Sequence, residues 1–108
     1  KPQDFFIAEY IREACIKFLS LELPYSLHVE VNTFNEEEEL VSITSTIFLS
    51  KKSHLSIVVG KGGSMLVKIS KYARINSEKL LGKKVFLKIH VKYDPKWKDT
   101  KYFLNSYN

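Results

Sequence analysis

Along residues 26–34, and again along 83–93, apolar and polar side chains alternate one for one. Leu27, Val29 and Val31 alternate with His28, Glu30 and Asn32 in the first stretch. Val85, Leu87, Ile89 and Val91 alternate with Phe86, Lys88, His90 and Lys92 in the second. Successive side chains of a strand point to opposite faces, so both stretches predict half-buried β-strands. LVSITSTIFLS, 40–50, is rich in β-branched residues and predicts a third strand. NEEEE, 35–39, reads as the turn of a hairpin between the first two, because adjacent like charges resist burial.

The remaining apolar positions follow helical spacing. In 4–21 Ala8, Ile11, Cys15 and Phe18 form a stripe, Asp4 is a plausible N-cap, and Glu13 and Lys17 make a favourable i,i+4 pair. Pro24 opposes continuation of that helix. Residues 64–81 predict a second long helix, with Leu66, Ile69, Ala73, Leu80 and Leu81 on one broad face and Lys68, Lys71, Arg74 and Lys79 projecting outward. Gly82 is well placed to end it. HLSIVVG, 54–60, fits a short helix capped by Ser53, but Ile57, Val58 and Val59 fit a strand as well, and periodicity does not separate the two. Pro95 breaks the last strand, and Trp97, Tyr102, Phe103, Leu104 and Tyr107 in the tail suggest a docked segment. The expected architecture is one α+β domain over 1–108, with a three-stranded sheet, helices packed on one face, and the tail from 93 to 108.

Charge changes this picture. The 108 residues carry a net +5, but residues 1–50 hold three Lys/Arg against nine Asp/Glu (−6), while 51–108 hold fourteen against three (+11). The basic half points to a polyanionic partner, although solvated lysines alone would also produce it. The single cysteine, Cys15, excludes an internal disulfide and fits a reducing compartment. It lies on the apolar stripe, as an inert buried thiol would. No run has the length of a membrane span, and no signal peptide is visible.

Three of the four glycines, Gly60, Gly62 and Gly63, fall within SIVVGKGGSMLVKI, with Lys61 between them. Glycine permits positive φ and close backbone approach. In the helical reading Gly60 ends one helix and Gly63 begins the next, whose first N–H groups then suit phosphate oxygens, with Lys61 adding a mobile charge. The P-loop pattern GxxxxGK[ST] is absent, and GxGxxG fails because Met65 stands at its sixth position. A tight turn with no ligand is the competing explanation of GxxG by itself. The context favours binding: a hairpin, a hydrophobic GxxG, an amphipathic helix and an alternating strand make the layout of a type II KH domain, whose GxxG loop clamps about four nucleotides of a single strand.

The sequence also resembles a specific family, across nearly its whole length. IREACIKFLSLELPYSLHVEV, IVVGKGGSMLVKI, SEKLLGKKVFLKIHVK and the tail WKDTKYFLNSYN are similar to the C-terminal domain of the Era family of bacterial GTPases, with its I-I-G-K-G-G-S-M-L-K-K-I segment. The resemblance implies the order α-β-β-α-(GxxG)-α-β plus a short C-terminal docked segment. It implies binding of single-stranded small-subunit ribosomal RNA near the 16S 3′ end during 30S assembly, and a cytoplasmic location with peripheral contact to the inner membrane. By position, Gly60, Lys61, Gly62 and Gly63 would be the clamp, Ile57, Val58 and Met65 would wall the groove for bases, and Lys68 and Lys71 would meet phosphates. No GTPase motif occurs in these residues, so GTP, Mg and hydrolysis would belong to a GTPase domain outside them. Val67, Ser70, Tyr72 and Ser77 depart from the family's lysine, glycine, glutamate and aliphatic residue, and Ser77 is expected to weaken the apolar stripe. The alternative is a KH-fold protein-interaction or structural module without RNA affinity.

Catalysis has little support. His28, His54 and His90 lie on different elements, and no Cys/His spacing suggests a metal. A solvated acidic turn explains Glu36–Glu39 better than a cation site does.

Overall fold

The computed structural model describes residues 2–20 and 22–97. The elements are α1 (Pro2–Phe18), a 3-10 turn (Leu23–Ser26), β1 (Leu27–Glu36), β2 (Leu40–Leu49), a second 3-10 turn (Lys52–His54), α2 (Leu55–Val59), a third 3-10 turn (Lys61–Gly63), α3 (Ser64–Leu81) and β3 (Lys84–Tyr93). The order is the expected one, and residues 55–59 resolve as helix rather than strand. Ser53 lies within the second 3-10 turn and does not cap α2; His54 takes the N-cap position without a side-chain hydrogen bond.

The sheet runs β1-β2-β3. β1 and β2 are antiparallel, from Leu27 opposite Leu49 to Glu36 opposite Val41. β3 is parallel to β2, from Leu40 opposite Lys84 to Leu49 opposite Tyr93. A parallel neighbour cannot be reached by a tight turn, so α2, the glycine loop and α3 form the required crossover. One face carries the core. Val41, Ile43, Ile47 and Leu49 of β2 and Val85, Leu87 and Ile89 of β3 are buried with Ile7, Ile11, Ala14 and Cys15 of α1 and Ile69 and Ala73 of α3. Each fully buried Ile or Leu contributes roughly 1.5–3 kcal/mol.

The pairing of β1 with β2 jumps between Val31 and Thr33. The extra residue, Asn32, shifts the alternation by one, so that Phe34 instead of Thr33 packs on the core. On the other face Thr46 Oγ1 donates to Asn32 Oδ1 at 2.7 Å, and the Thr33 and Thr44 hydroxyls meet at 2.6 Å.

Several helical expectations need correction. α1 begins at Pro2, whose fixed φ suits a first turn, so Asp4 lies inside that turn and is not the N-cap. There its carboxylate still complements the positive helix end. The buried stripe is Ile7, Ile11, Ala14 and Cys15, with Ala8 and Phe18 only half-buried. Glu13 accepts a hydrogen bond from the Tyr72 hydroxyl at 2.6 Å, while the Lys17 ammonium lies 5.8 Å from the centre of the same ring. On α3 the fully buried line is Ile69, Ala73 and Ser77, and Leu80 is exposed. Ser77 does not weaken that line: its hydroxyl donates to the Ala73 carbonyl at 2.7 Å and so is satisfied within its own helix.

Glu78 ties the end of α3 to β3, with Oε1 accepting from Arg74 and Oε2 accepting the Val85 N–H at 3.0 Å. Lys83 ties the same corner to the hairpin, donating to Glu36 Oε2 and to the Glu37 carbonyl, each at 2.9 Å.

After β3 the chain turns at Asp94–Trp97, where the Lys96 N–H donates to Asp94 Oδ1 at 2.9 Å. Trp97 is buried on the face opposite the helices, stacked on His28 with ring centres 5.9 Å apart; His28 in turn stacks on Phe48 at 6.1 Å. The start of the tail therefore docks. Expectations for Tyr102, Phe103, Leu104 and Tyr107 lie outside the described residues.

Burial pushes the Cys15 thiol up to about 12, against an ordinary 9.0, with Arg12 opposing weakly. A raised thiol pKa means that the folded state holds the proton more tightly than the unfolded chain. The associated stability is therefore fully present below about 9.0 and is lost as pH rises toward about 12. Alkylation of native protein at pH 8 should be slow and should accelerate only across the unfolding transition. Rapid labelling of the native domain would show that α1 opens locally.

Candidate nucleic-acid interface

The glycine loop is built by two helix ends that nearly collide. The Gly60 N–H closes α2 on the Ser56 carbonyl at 2.9 Å. Its backbone, at φ 78° and ψ 169°, then turns into a region that only glycine occupies readily. A Cβ at Gly60 would stand 2.6 Å from Met65 N and 2.7 Å from Met65 Cβ. Gly60 is thus demanded twice, by its dihedrals and by the first turn of α3.

Gly62 and Gly63 differ. Both have positive φ, 62° and 81°, but a Cβ on either would meet nothing within 4 Å. They form the tip of the loop, held by the Gly63 N–H to the Gly60 carbonyl at 3.1 Å. Gly63 is the N-cap of α3 and supplies no side chain to the first-turn N–H groups. α3 has 18 residues, about 27 Å of helix, with the positive end of its dipole at this tip. Exposed Lys61 stands beside it. The tip therefore offers open backbone, a helix end with no side-chain cap, and one cation, a combination suited to a phosphodiester backbone, although the Ser64 N–H already donates to the Lys61 carbonyl.

The other candidate residues separate. Met65 is half-buried against Gly60. Val58 is fully buried in the core, so it supports the loop from behind and presents no surface to a ligand. Ile57, one residue earlier, is 47% exposed and lines a cleft of about 440 Å³ with Ser20, Glu22, Leu23, Ser26, Lys51 and His54. Sequence reading missed these partners; they come from two separate stretches, 20–26 and 51–54, that share no motif. A larger but shallower depression, about 720 Å³, borders Gly82 and Phe86 at the opposite end of α3 and is no part of the loop.

Lys68 is exposed, but its ammonium lies 5.2 Å from the centre of the Phe18 ring, directed toward α1. Lys71 is exposed one turn further on. Val67, 65% exposed, puts an apolar patch on the helix surface between the loop and Lys71. The Tyr72 hydroxyl is pushed upward in pKa, first by its hydrogen bond to Glu13. Among the described residues no three His, Cys, Asp or Glu side chains are grouped to hold a metal ion.

Residues 22–98 match the family model described as KH domain. The chain is 46% identical to GTPase Era of Clostridium acetobutylicum over 104 residues, covering 96% of this chain and 35% of that protein. It is 43% identical to GTPase Era of Neisseria meningitidis over 104 residues, covering 96% of this chain and 34% of the relative. The chain thus spans about a third of the curated relatives it matches. Two solved structures superpose on 97% of it at 28% identity: an Aquifex aeolicus Era variant bound to GDP·AlF4− (TM-score 0.89), and Era in complex with MgGDPNP and nucleotides 1506–1542 of 16S ribosomal RNA (TM-score 0.90). Each is matched over 36% of its length.

The geometry separates the glycines by experiment. Gly60→Ala combines a forbidden φ with a backbone clash and should cost about 3 kcal/mol or more. Gly62→Asn, in open space at a φ that Asn tolerates, should cost about 1 kcal/mol or less. Denaturant melts of the two variants compare them directly, and equal midpoints would mean that the Gly60–Met65 junction yields.

Proposed function

The chain belongs to the KH domain family, and on that premise we propose that it is the RNA-binding part of an Era-like GTPase. Its GKGG loop clamps an unpaired segment of small-subunit ribosomal RNA near the 16S 3′ end and so serves 30S assembly. The observation that carries this reading is the loop tip, where Gly62 and Gly63 leave open backbone at the end of α3 that no side chain caps. In this mechanism phosphates approach the tip, Lys61 neutralises charge there, and bases turn toward Ile57 and the cleft it lines. Met65 fixes the loop from the helix side, and Lys71 is a further phosphate contact. Lys68 joins it only by leaving the Phe18 ring.

The RNA-bound Era structure, which superposes on 97% of this chain, supports the choice of RNA as partner. GTP and Mg belong, in this reading, to a GTPase domain outside these residues, and the chain itself performs no chemistry. No helix among the described residues is long and apolar enough to cross a membrane. A cytoplasmic protein that meets the inner membrane only peripherally fits the reading.

The test reverses the loop's charge. Lys61→Asp changes an exposed side chain at an unstrained position and should leave stability within about 0.5 kcal/mol. Adding Gly62→Asp places a residue at φ 62°, costing about 1–2 kcal/mol, or several degrees of Tm in a domain of this size. Titrated with single-stranded RNA, the single variant should bind more weakly and the double variant at least about tenfold more weakly, equivalent to ~1.4 kcal/mol. Unchanged affinity in the folded double variant would leave the glycines as a turn and favour a protein-interaction module.

A further inference from the structure

β3 carries a second line of residues that the loop does not use. Lys84, Phe86, Lys88, His90 and Lys92 alternate with the core positions and are all exposed. They lie on the sheet face opposite the helices. At a rise of ~3.3 Å per residue the line runs about 26 Å. Among the described residues none of its three ammonium groups has a carboxylate within ion-pair distance, whereas neighbouring Lys83 is held by Glu36 at 2.9 Å. The floor beside it is short and polar: Ser42 stands next to Phe86, Thr44 next to Lys88 and Thr46 next to His90. Glu30, on the strand beyond, faces His28 at 3.4 Å. The stacked Phe48, His28 and Trp97 close the platform at the Lys92 end.

β3 is an edge strand, and lysines on an edge discourage pairing with another chain. That accounts for the charge. It does not account for Phe86, 59% exposed between two of the lysines. Flat rings alternating with unpaired cations suit a single strand, whose bases stack while its phosphates are neutralised.

We propose that this face of β3 is a second contact for single-stranded RNA, with Phe86 stacking a base and Lys84, Lys88 and Lys92 meeting phosphates. The proposal rests on the RNA-binding reading of the loop and extends it. Loop and stripe lie on opposite sides of the sheet, so one RNA reaches both only by rounding the margin of the sheet. Short strands occupy the loop alone.

The experiment uses the 108-residue chain with oligouridines of about five and about twenty nucleotides, read by amide chemical shifts and by affinity against salt. The longer strand should shift amides of both 60–66 and 84–92, the shorter only the first group. Phe86→Ala should weaken the longer strand at least about fivefold and leave the shorter unaffected. K88Q combined with K92Q should lower the slope of log K against log salt by about 1.4, at ~0.7 per phosphate contact. Circular dichroism checks that these exposed substitutions leave the fold intact. Shifts at the loop without shifts on β3 overturn this proposal and leave the clamp standing. Shifts on β3 without the loop support it and overturn the clamp, and shifts at neither overturn both.

Discussion

The end of α2 meets the first turn of α3 with no room for a side chain between them. Gly60 lies against Met65 so closely that a Cβ would overlap its backbone nitrogen. The consequences run in both directions along the chain. Behind the junction Val58 is pressed into the core, fully buried, and anchors a helix of only five residues. Ahead of it α3 is set in the rotation that buries Ile69, Ala73 and Ser77 on one line. Between them Lys61, Gly62 and Gly63 are forced outward into open space. A steric constraint within the fold and an open, accessible loop tip are thus two sides of one junction. This is how the loop stays ordered without a side-chain cap.

The remaining organisation is a division of faces. Helices cover one side of a three-stranded sheet, and the other side holds a small stack of Trp97, His28 and Phe48 beside exposed basic residues. Across the helix layer, Tyr72 joins α3 to α1 through its hydroxyl to Glu13, its ring edge-on to Phe18, and Lys17 over the ring. This is one of the positions that depart from the resembled family, and here it acts as a latch between helices. Such exposed contacts are screened by water and individually weak, so the latch refines helix position while the core supplies stability.

The sequence alone determined what short-range pattern encodes. Period-two alternation marked β1 and β3, β-branched content marked β2, and helical spacing with a terminal glycine marked α3 at the bounds observed, Ser64–Leu81. The KH layout was legible because four local signals occur in one order, and GKGG was legible because glycine density has few local explanations. These features depend on sterics within a few residues and survive whatever the rest of the chain does.

Tertiary structure decided the rest. That β3 joins β2 in parallel depends on a crossover, which no local pattern reports. That Phe34 turns inward depends on the bulge at Asn32, set by pairing with β2. Ile57 and Val58 are equivalent apolar neighbours in the sequence, yet they face a cleft and the core respectively, because about 100° of helix rotation separates adjacent residues and packing against α3 and β3 fixes which one is buried. Lys68 and Lys71 look alike as charges, but only Lys68 finds an aromatic ring, on a helix fifty residues away in the chain. Each outcome is a contact between distant segments, and a linear pattern contains the parts of such a contact without the distance between them.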